Sequence, residues 1–122
     1  MELYIAEKPS VGRDIARVLG CKTAGEGCLS GDGYTVTWAV GHLVTLCEPD
    51  EIDEKYKKWR MADLPMLPET LPTKVISKTK KQFTIVKKLI NAPDTERLIC
   101  ATDAGREGEL IFRFVYQMAG CK

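Results

Sequence analysis

Hydrophobic positions along this chain change period where its elements should begin and end. Leu3-Tyr-Ile-Ala6 is a short apolar run of the kind a buried parallel strand shows, and apolar residues at 11, 15, 18 and 19 then follow helical spacing. A strand over 3–6 and a helix over 10–19 are predicted, with Gly20 as the helix stop. Cys28 to Ser30 and Tyr34 to Val40 flank Gly31-Asp32-Gly33 and predict a hairpin, because the second run is rich in β-branched and aromatic residues and the turn supplies positive φ. From Cys47 to Thr73 prolines at 49, 65, 68 and 72 exclude a long regular element. That stretch is expected to wrap the domain, pinned by Trp59, Leu64, Met66 and Leu67. Ser77 or Thr79 is placed to cap a helix running to Asn91, with Phe83, Val86, Leu89 and Ile90 as its inner face and Pro93 beyond its end. A strand over 97–102 and a helix over 106–118, apolar at 110, 111, 114, 115 and 118, complete the pattern.

Strand–helix pairs at both ends demand parallel strands covered by helices, so the fold class is α/β: a parallel sheet sandwiched by helices, with an inserted hairpin and a proline-rich wrapping loop. No repeat or linker divides residues 1–122, which read as one domain. Only Ala-Gly-Cys-Lys follows the last helix, so a final strand is expected to be missing and the chain to be a C-terminally truncated fragment of a longer protein. Apolar content of 44% suits a folded module, and no apolar stretch approaches the roughly 20 residues of a membrane span. The N-terminus lacks the basic and apolar regions of a signal peptide, and a cytoplasmic location with no membrane partner is expected. Five cysteines form no CxxC pair and the single His42 completes no zinc set, so the thiols are read as reduced packing groups. Net charge is only +1, yet residues 48–54 hold five acids and no base, whereas 74–88 hold six lysines and no acid. Those lysines are either the solvated face of the third helix or a phosphate-neutralising strip.

The candidate chemistry lies where strands stop. Asp103 stands at the carboxyl edge of the last strand, Glu107 and Glu109 follow where a helix opens, and Glu7-Lys8 occupies the equivalent position after the first strand. Ligands of open α/β sheets bind outside the carboxyl ends of strands, and a helix N-terminus there offers unpaired N–H groups to a phosphate. If the two strands are neighbours, Glu7, Asp103 and Glu107 converge on one crevice beside Lys8 and Arg106. A carboxylate pair is the usual means of bringing Mg²⁺ to a phosphodiester, a further acid can deliver a proton to a leaving oxygen, and Lys8 and Arg106 can offset charge on the phosphate. Plainer readings stand beside these: Asp103 as a helix cap, Lys8 as a surface lysine, Arg106 as a partner for nearby acids, His42 as a hydrogen-bonded residue at the sheet edge rather than a DNA contact. Small residues at 104, 105 and 108 suggest close approach of a ligand or a backbone. Trp38 and Trp59 are read as core and loop anchors.

Ile5-Ala-Glu7-Lys8-Pro9-Ser10, Gly41-His42-Leu43, Trp59 with Ala62-Asp63-Leu64-Pro65 and Pro68-Glu69, and Thr102-Asp103-Ala-Gly-Arg106-Glu107-Gly108-Glu109 together resemble the Toprim domain of type IA DNA topoisomerases, and among these most of all bacterial DNA topoisomerase III. The resemblance covers nearly the whole chain. It implies a Rossmann-like parallel sheet, dependence on Mg²⁺, and an ATP-independent isomerase that cuts one DNA strand so that another can pass. It further implies that Glu7 is the catalytic acid/base, that Lys8 stabilises the scissile phosphate, that Asp103 and Glu107, helped by Glu7, hold magnesium, and that Arg106 is the arginine of the family's Asp-x-Asp-Arg-Glu-Gly pattern. Gly105 departs from that pattern by standing where many relatives carry a second aspartate, which weakens the case for two metal ions. The family's nucleophilic tyrosine lies in another domain, and none of Tyr4, Tyr34, Tyr56 or Tyr116 sits in a matching motif. The chain alone is therefore expected to be inactive, its partners being a single-stranded DNA segment and the remaining domains of the parent enzyme. The alternative is a free-standing Toprim-like module that binds nucleic acid or phosphate without cleavage.

Overall fold

Leu3 and Ile5 are fully buried and Tyr4 between them faces the opposite layer, so the first strand is covered on both sides, as its unbroken apolar run requires. The computed structural model describes residues 1–53, 57–58, 60–65 and 72–120. In chain order the elements are β1 (Glu2–Ala6), α1 (Pro9–Leu19), β2 (Thr23–Gly25), β3 (Cys28–Gly31), β4 (Tyr34–Trp38), β5 (Val44–Leu46), a short α2 (Pro49–Ile52), β6 (Thr73–Val75), α3 (Lys80–Ile90), β7 (Arg97–Ala101) and α4 (Arg106–Met118). Short 3₁₀ turns cover Met61–Asp63 and Ser77–Thr79.

The main sheet has the order β2-β3-β4-β1-β7. β1 lies between β4 and β7, parallel to both, with Ala6 paired to Trp38 on one side and to Ala101 on the other. The sheet is not parallel throughout: the expected hairpin forms as β3–β4, and β2 extends it antiparallel. Helices cover both faces. α1 packs Ala16 against Val36 and Cys21 on one face, whereas Phe83, Val86 and Ile90 of α3 and Ile111, Phe112 and Val115 of α4 join Leu3 and Ile5 on the other. Opposite faces are what right-handed crossovers need when the chain moves first from β1 to β4 and later back past β1 to β7. The carboxyl end of β1 is thus the switch point of the sheet, where open α/β folds place their ligands.

Several expectations change in detail. The strand expected to reach Val40 stops at Trp38, which serves as the expected anchor: a Cβ on Gly12 of α1 would lie 2.7 Å from its ring. Neither Ser77 nor Thr79 caps α3 through its side chain; Thr79 occupies the N-cap position, but its hydroxyl points back to the Ile76 carbonyl at 3.4 Å. The stretch 47–73 is less irregular than its prolines suggest, since it contains α2 and enters β6, which pairs antiparallel with β5. Leu64 is 44% exposed rather than a buried anchor, while Trp59, Met66 and Leu67 lie outside the described residues. Among the described residues no helix is long and apolar enough to cross a membrane, and Cys21, Cys28, Cys47 and Cys100 are free thiols.

Candidate metal centre at the strand ends

Because Ala6 and Ala101 are register partners, Glu7 and Thr102 leave adjacent strand ends together and Asp103 follows one residue later. Glu7 is buried at 9% exposure, and its Oε1 has no hydrogen-bond partner among the described residues. A carboxylate oxygen left without a partner costs free energy unless something outside the fold satisfies it. Lys8, Asp103 and Arg106 are exposed, and none makes an ion pair with a described residue. Lys8 is the N-cap residue of α1 and Arg106 the first residue of α4, so both cations stand where a helix begins at this sheet edge.

The segment from Thr102 to Gly108 is braced from within. The Thr102 hydroxyl donates to the Gly108 carbonyl at 2.9 Å, and Gly105 N–H donates to the Asp103 carbonyl at 2.8 Å. Gly108 is buried against the backbone of Asp103, so closely that a Cβ would stand 2.1 Å from the Asp103 carbonyl oxygen. Gly105 differs: it is the N-cap of α4 in an extended conformation, and a Cβ there would meet nothing within 4 Å. Asp103 is therefore not the helix cap, and the plainer reading of that residue falls. Of the small residues singled out in the sequence, Gly108 answers to close backbone approach and Gly105 does not.

On the far side of β1 the chain leaves β4 with Ala39 N–H donating to the Ala6 carbonyl at 2.9 Å and Gly41 N–H to the Glu7 carbonyl at 3.3 Å. Gly41 has φ +72, a turn that favours glycine and redirects the chain back over the strand ends. Half-buried His42 then hydrogen-bonds through Nε2 to Glu107 Oε1. This contact joins segments that follow β4 and β7, so it spans the end of the strand carrying Glu7. Sequence reasoning missed the pair; the only available signal was a Gly-His step after a strand, which carries no hint of the partner. Glu109 pairs with Arg113 at 2.8 Å, one helical turn on, and is a helix-start acid outside the site.

Among the described residues no three His, Cys, Asp or Glu side chains are gathered tightly enough to enclose a metal ion. The donor type is nevertheless the one a hard divalent cation takes, since Glu7, Asp103 and Glu107 are all carboxylates at one sheet edge, and Glu7 Oε1 has no hydrogen-bond partner among the described residues. Asp103 is free of other partners among the described residues, whereas Glu107 would share its carboxylate with His42.

Residues 2–122 match the Toprim domain family. The chain is 60% identical over 113 residues to DNA topoisomerase 3 of Bacillus anthracis, covering 93% of this chain and 16% of the relative. It is 52% identical over 118 residues to DNA topoisomerase 3 of Shouchella clausii strain KSM-K16 and 52% identical over 120 residues to that of Bacillus subtilis strain 168, covering 97% and 98% of this chain and again 16% of each relative. The chain thus spans only a small part of the length of the relatives it matches.

Proposed function

This chain belongs to the Toprim domain family, and we propose that it is the magnesium-binding domain of a type IA DNA topoisomerase that acts in the cytoplasm on a single-stranded DNA segment. One observation carries the reading: a buried carboxylate, Glu7, with an oxygen unsatisfied among the described residues at the switch point of the sheet, with Asp103 just beyond the neighbouring strand β7 and Glu107 in the first turn of the helix that follows.

Asp103 and Glu107 would hold Mg²⁺ with help from Glu7. When bound, the ion neutralises phosphate oxygens and fixes the scissile phosphodiester in place. Glu7, shielded from bulk water, holds or gives a proton at Oε1 to the leaving oxygen during cleavage and takes it back on rejoining. Lys8 and Arg106, exposed at two helix starts and without an ion-pair partner among the described residues, face the phosphate charge as it develops. His42 orients Glu107 and stands at the rim as a DNA contact. The nucleophilic tyrosine belongs to a domain beyond this chain, so the chain alone does not relax DNA.

The test has two parts. Supercoiled plasmid incubated with Mg²⁺ and the 122-residue chain should stay supercoiled, and relaxation would refute the division of labour. In the longer parent enzyme Glu7→Gln should abolish strand cleavage without loss of folding. Asp103→Asn should shift the Mg²⁺ requirement upward, and an unchanged titration would remove Asp103 from the metal site.

A further inference from the structure

Along the same sheet edge as the candidate metal centre the turn between β2 and β3 and the first turn of α3 enclose a groove of about 370 Å³, lined among others by Glu26, Val40, Lys78, Lys81, Gln82 and Ile85. Its position follows from topology. α3 leads into β7 and runs back along it, so its first turn stands at the same sheet edge as Glu7 and Asp103. Gln82 Nε2 fixes that turn by donating to the Trp38 carbonyl at 2.7 Å and to the Gly27 carbonyl at 3.3 Å. Ile76 N–H donates to the Leu43 carbonyl at 2.9 Å, which ties the approach to α3 to the segment carrying His42. Val40, 52% exposed, opens onto the groove two residues before His42.

The charges are arranged for an anion. Lys78 and Lys80 make no ion pair with a described residue, and the Glu26 carboxylate on the rim is already met by Lys81 at 3.2 Å. The first turn of α3 contains no acid and two lysines, an arrangement the helix dipole disfavours, so helix stability does not account for it. An exposed valine beside the Lys78 ammonium, which has no ion-pair partner among the described residues, matches a nucleotide, which joins an apolar sugar and base face to a phosphate.

We propose that this groove is a subsite for one nucleotide of the single strand whose neighbouring phosphate lies at the metal centre: Lys78 neutralises its phosphate while Val40 and Ile85 bear on its sugar or base. The proposal rests on the function argued above and adds the path the strand takes. It also accounts for part of the lysine-rich stretch, since Lys74 is already engaged by Glu51 at 2.6 Å.

The test is an NMR titration of the isotopically labelled 122-residue chain with a thymidine octanucleotide, alongside two charge-matched variants. Val40 methyls and the Lys78 and Gln82 amides should shift together with Glu7 and His42. Each phosphate contact with a single strand contributes about 0.7 to the slope of log affinity against log salt, which is about fivefold in affinity at 0.1 M salt. Lys78→Gln should lose that factor and that slope, whereas Lys88→Gln, in the last turn of the same helix, should lose neither. Shifts confined to Glu7, Asp103 and His42, or equal losses in the two variants, would overturn the subsite and leave the proposed function standing. Absence of shifts at both places would overturn both, and shifts at Val40 and Gln82 produced only by an acidic peptide would assign the groove to a protein partner instead.

Discussion

Gly108→Ala tests the packing that holds the candidate metal centre. In a helix, alanine is favoured over glycine by about 1 kcal/mol, so propensity alone predicts a more stable protein. Here the new Cβ would stand 2.1 Å from the Asp103 carbonyl oxygen and 2.9 Å from the Asp103 nitrogen and carbonyl carbon. These are far inside the roughly 3.5 Å at which non-bonded heavy atoms rest. Every atom it strikes is backbone, and the segment is braced by the Thr102 hydroxyl on Gly108 and by Gly105 N–H on Asp103, so no rotamer change relieves the contact. The cost belongs at the upper end of the overpacking range, about 3 kcal/mol, leaving a net loss of about 2 kcal/mol. With an unfolding entropy near 2.1 cal/mol/K per residue, that is a fall of about 8 °C in Tm for a chain of this length. Circular dichroism at the helix band during heating measures it. Gly105→Ser is the control: its Cβ has open space, serine suits an N-cap, and stability should stay within about 0.5 kcal/mol of wild type. A Gly108→Ala protein as stable as wild type would refute the claim that this glycine exists for backbone contact.

Three further outcomes are expected. Gly105→Asp fits without steric conflict and adds a carboxylate beside Asp103, so calorimetric titration should show tighter Mg²⁺ binding; unchanged affinity would place the ion elsewhere. The Lys74 ammonium, and then the Glu48 N–H, hold the Glu51 carboxyl below its ordinary range, so its stabilising contribution is full above the unfolded value near 4.3 and disappears as pH falls through the lower folded value. The Tm gap between wild type and Glu51→Gln should accordingly be full above the ordinary glutamate value of about 4.3 and close as pH falls below it, and a constant gap would show that the carboxylate's charge is irrelevant. Burial pushes the Cys21 and Cys28 thiols up while Cys100 is exposed, so iodoacetamide should label Cys100 ahead of both, and prior labelling of Cys21 would contradict its place in the core.

The parts readable from sequence are those where one chain segment sets its own environment. β1 shows as an apolar run because both its faces are covered, β7 shows as one although it is an edge strand with Cys100 exposed, and α3 shows through the 3.6-residue spacing of Phe83, Val86 and Ile90. β2, β5 and β6 escape notice because three residues are too few to establish an alternation, and because Val44 meets Val75 only once the proline-rich stretch between them has folded back. The site divides in the same way. Glu7 and Asp103 announce themselves by following strands, whereas the His42–Glu107 contact depends on β4 and β7 flanking β1, which no local pattern encodes. Gly105 and Gly108 look alike in sequence, and only the path of the backbone tells the indispensable one from the replaceable one.

The central place of β1 has a consequence for how the protein comes into being. Synthesis produces this strand before either of its partners: β4 lies some thirty residues later and Arg97, which pairs with Glu2 across to β7, follows 95 residues on. A growing chain must therefore carry Leu3 and Ile5 with one strand edge open until β7 emerges, the interval in which non-local sheets fold slowly and aggregate most readily. Pulsed hydrogen exchange during refolding should find the β1–β4 amides protected before those between β1 and β7. The segment bearing Asp103 and Glu107 then arrives with β7, so that the acidic centre is assembled in the same event that covers the second edge of β1.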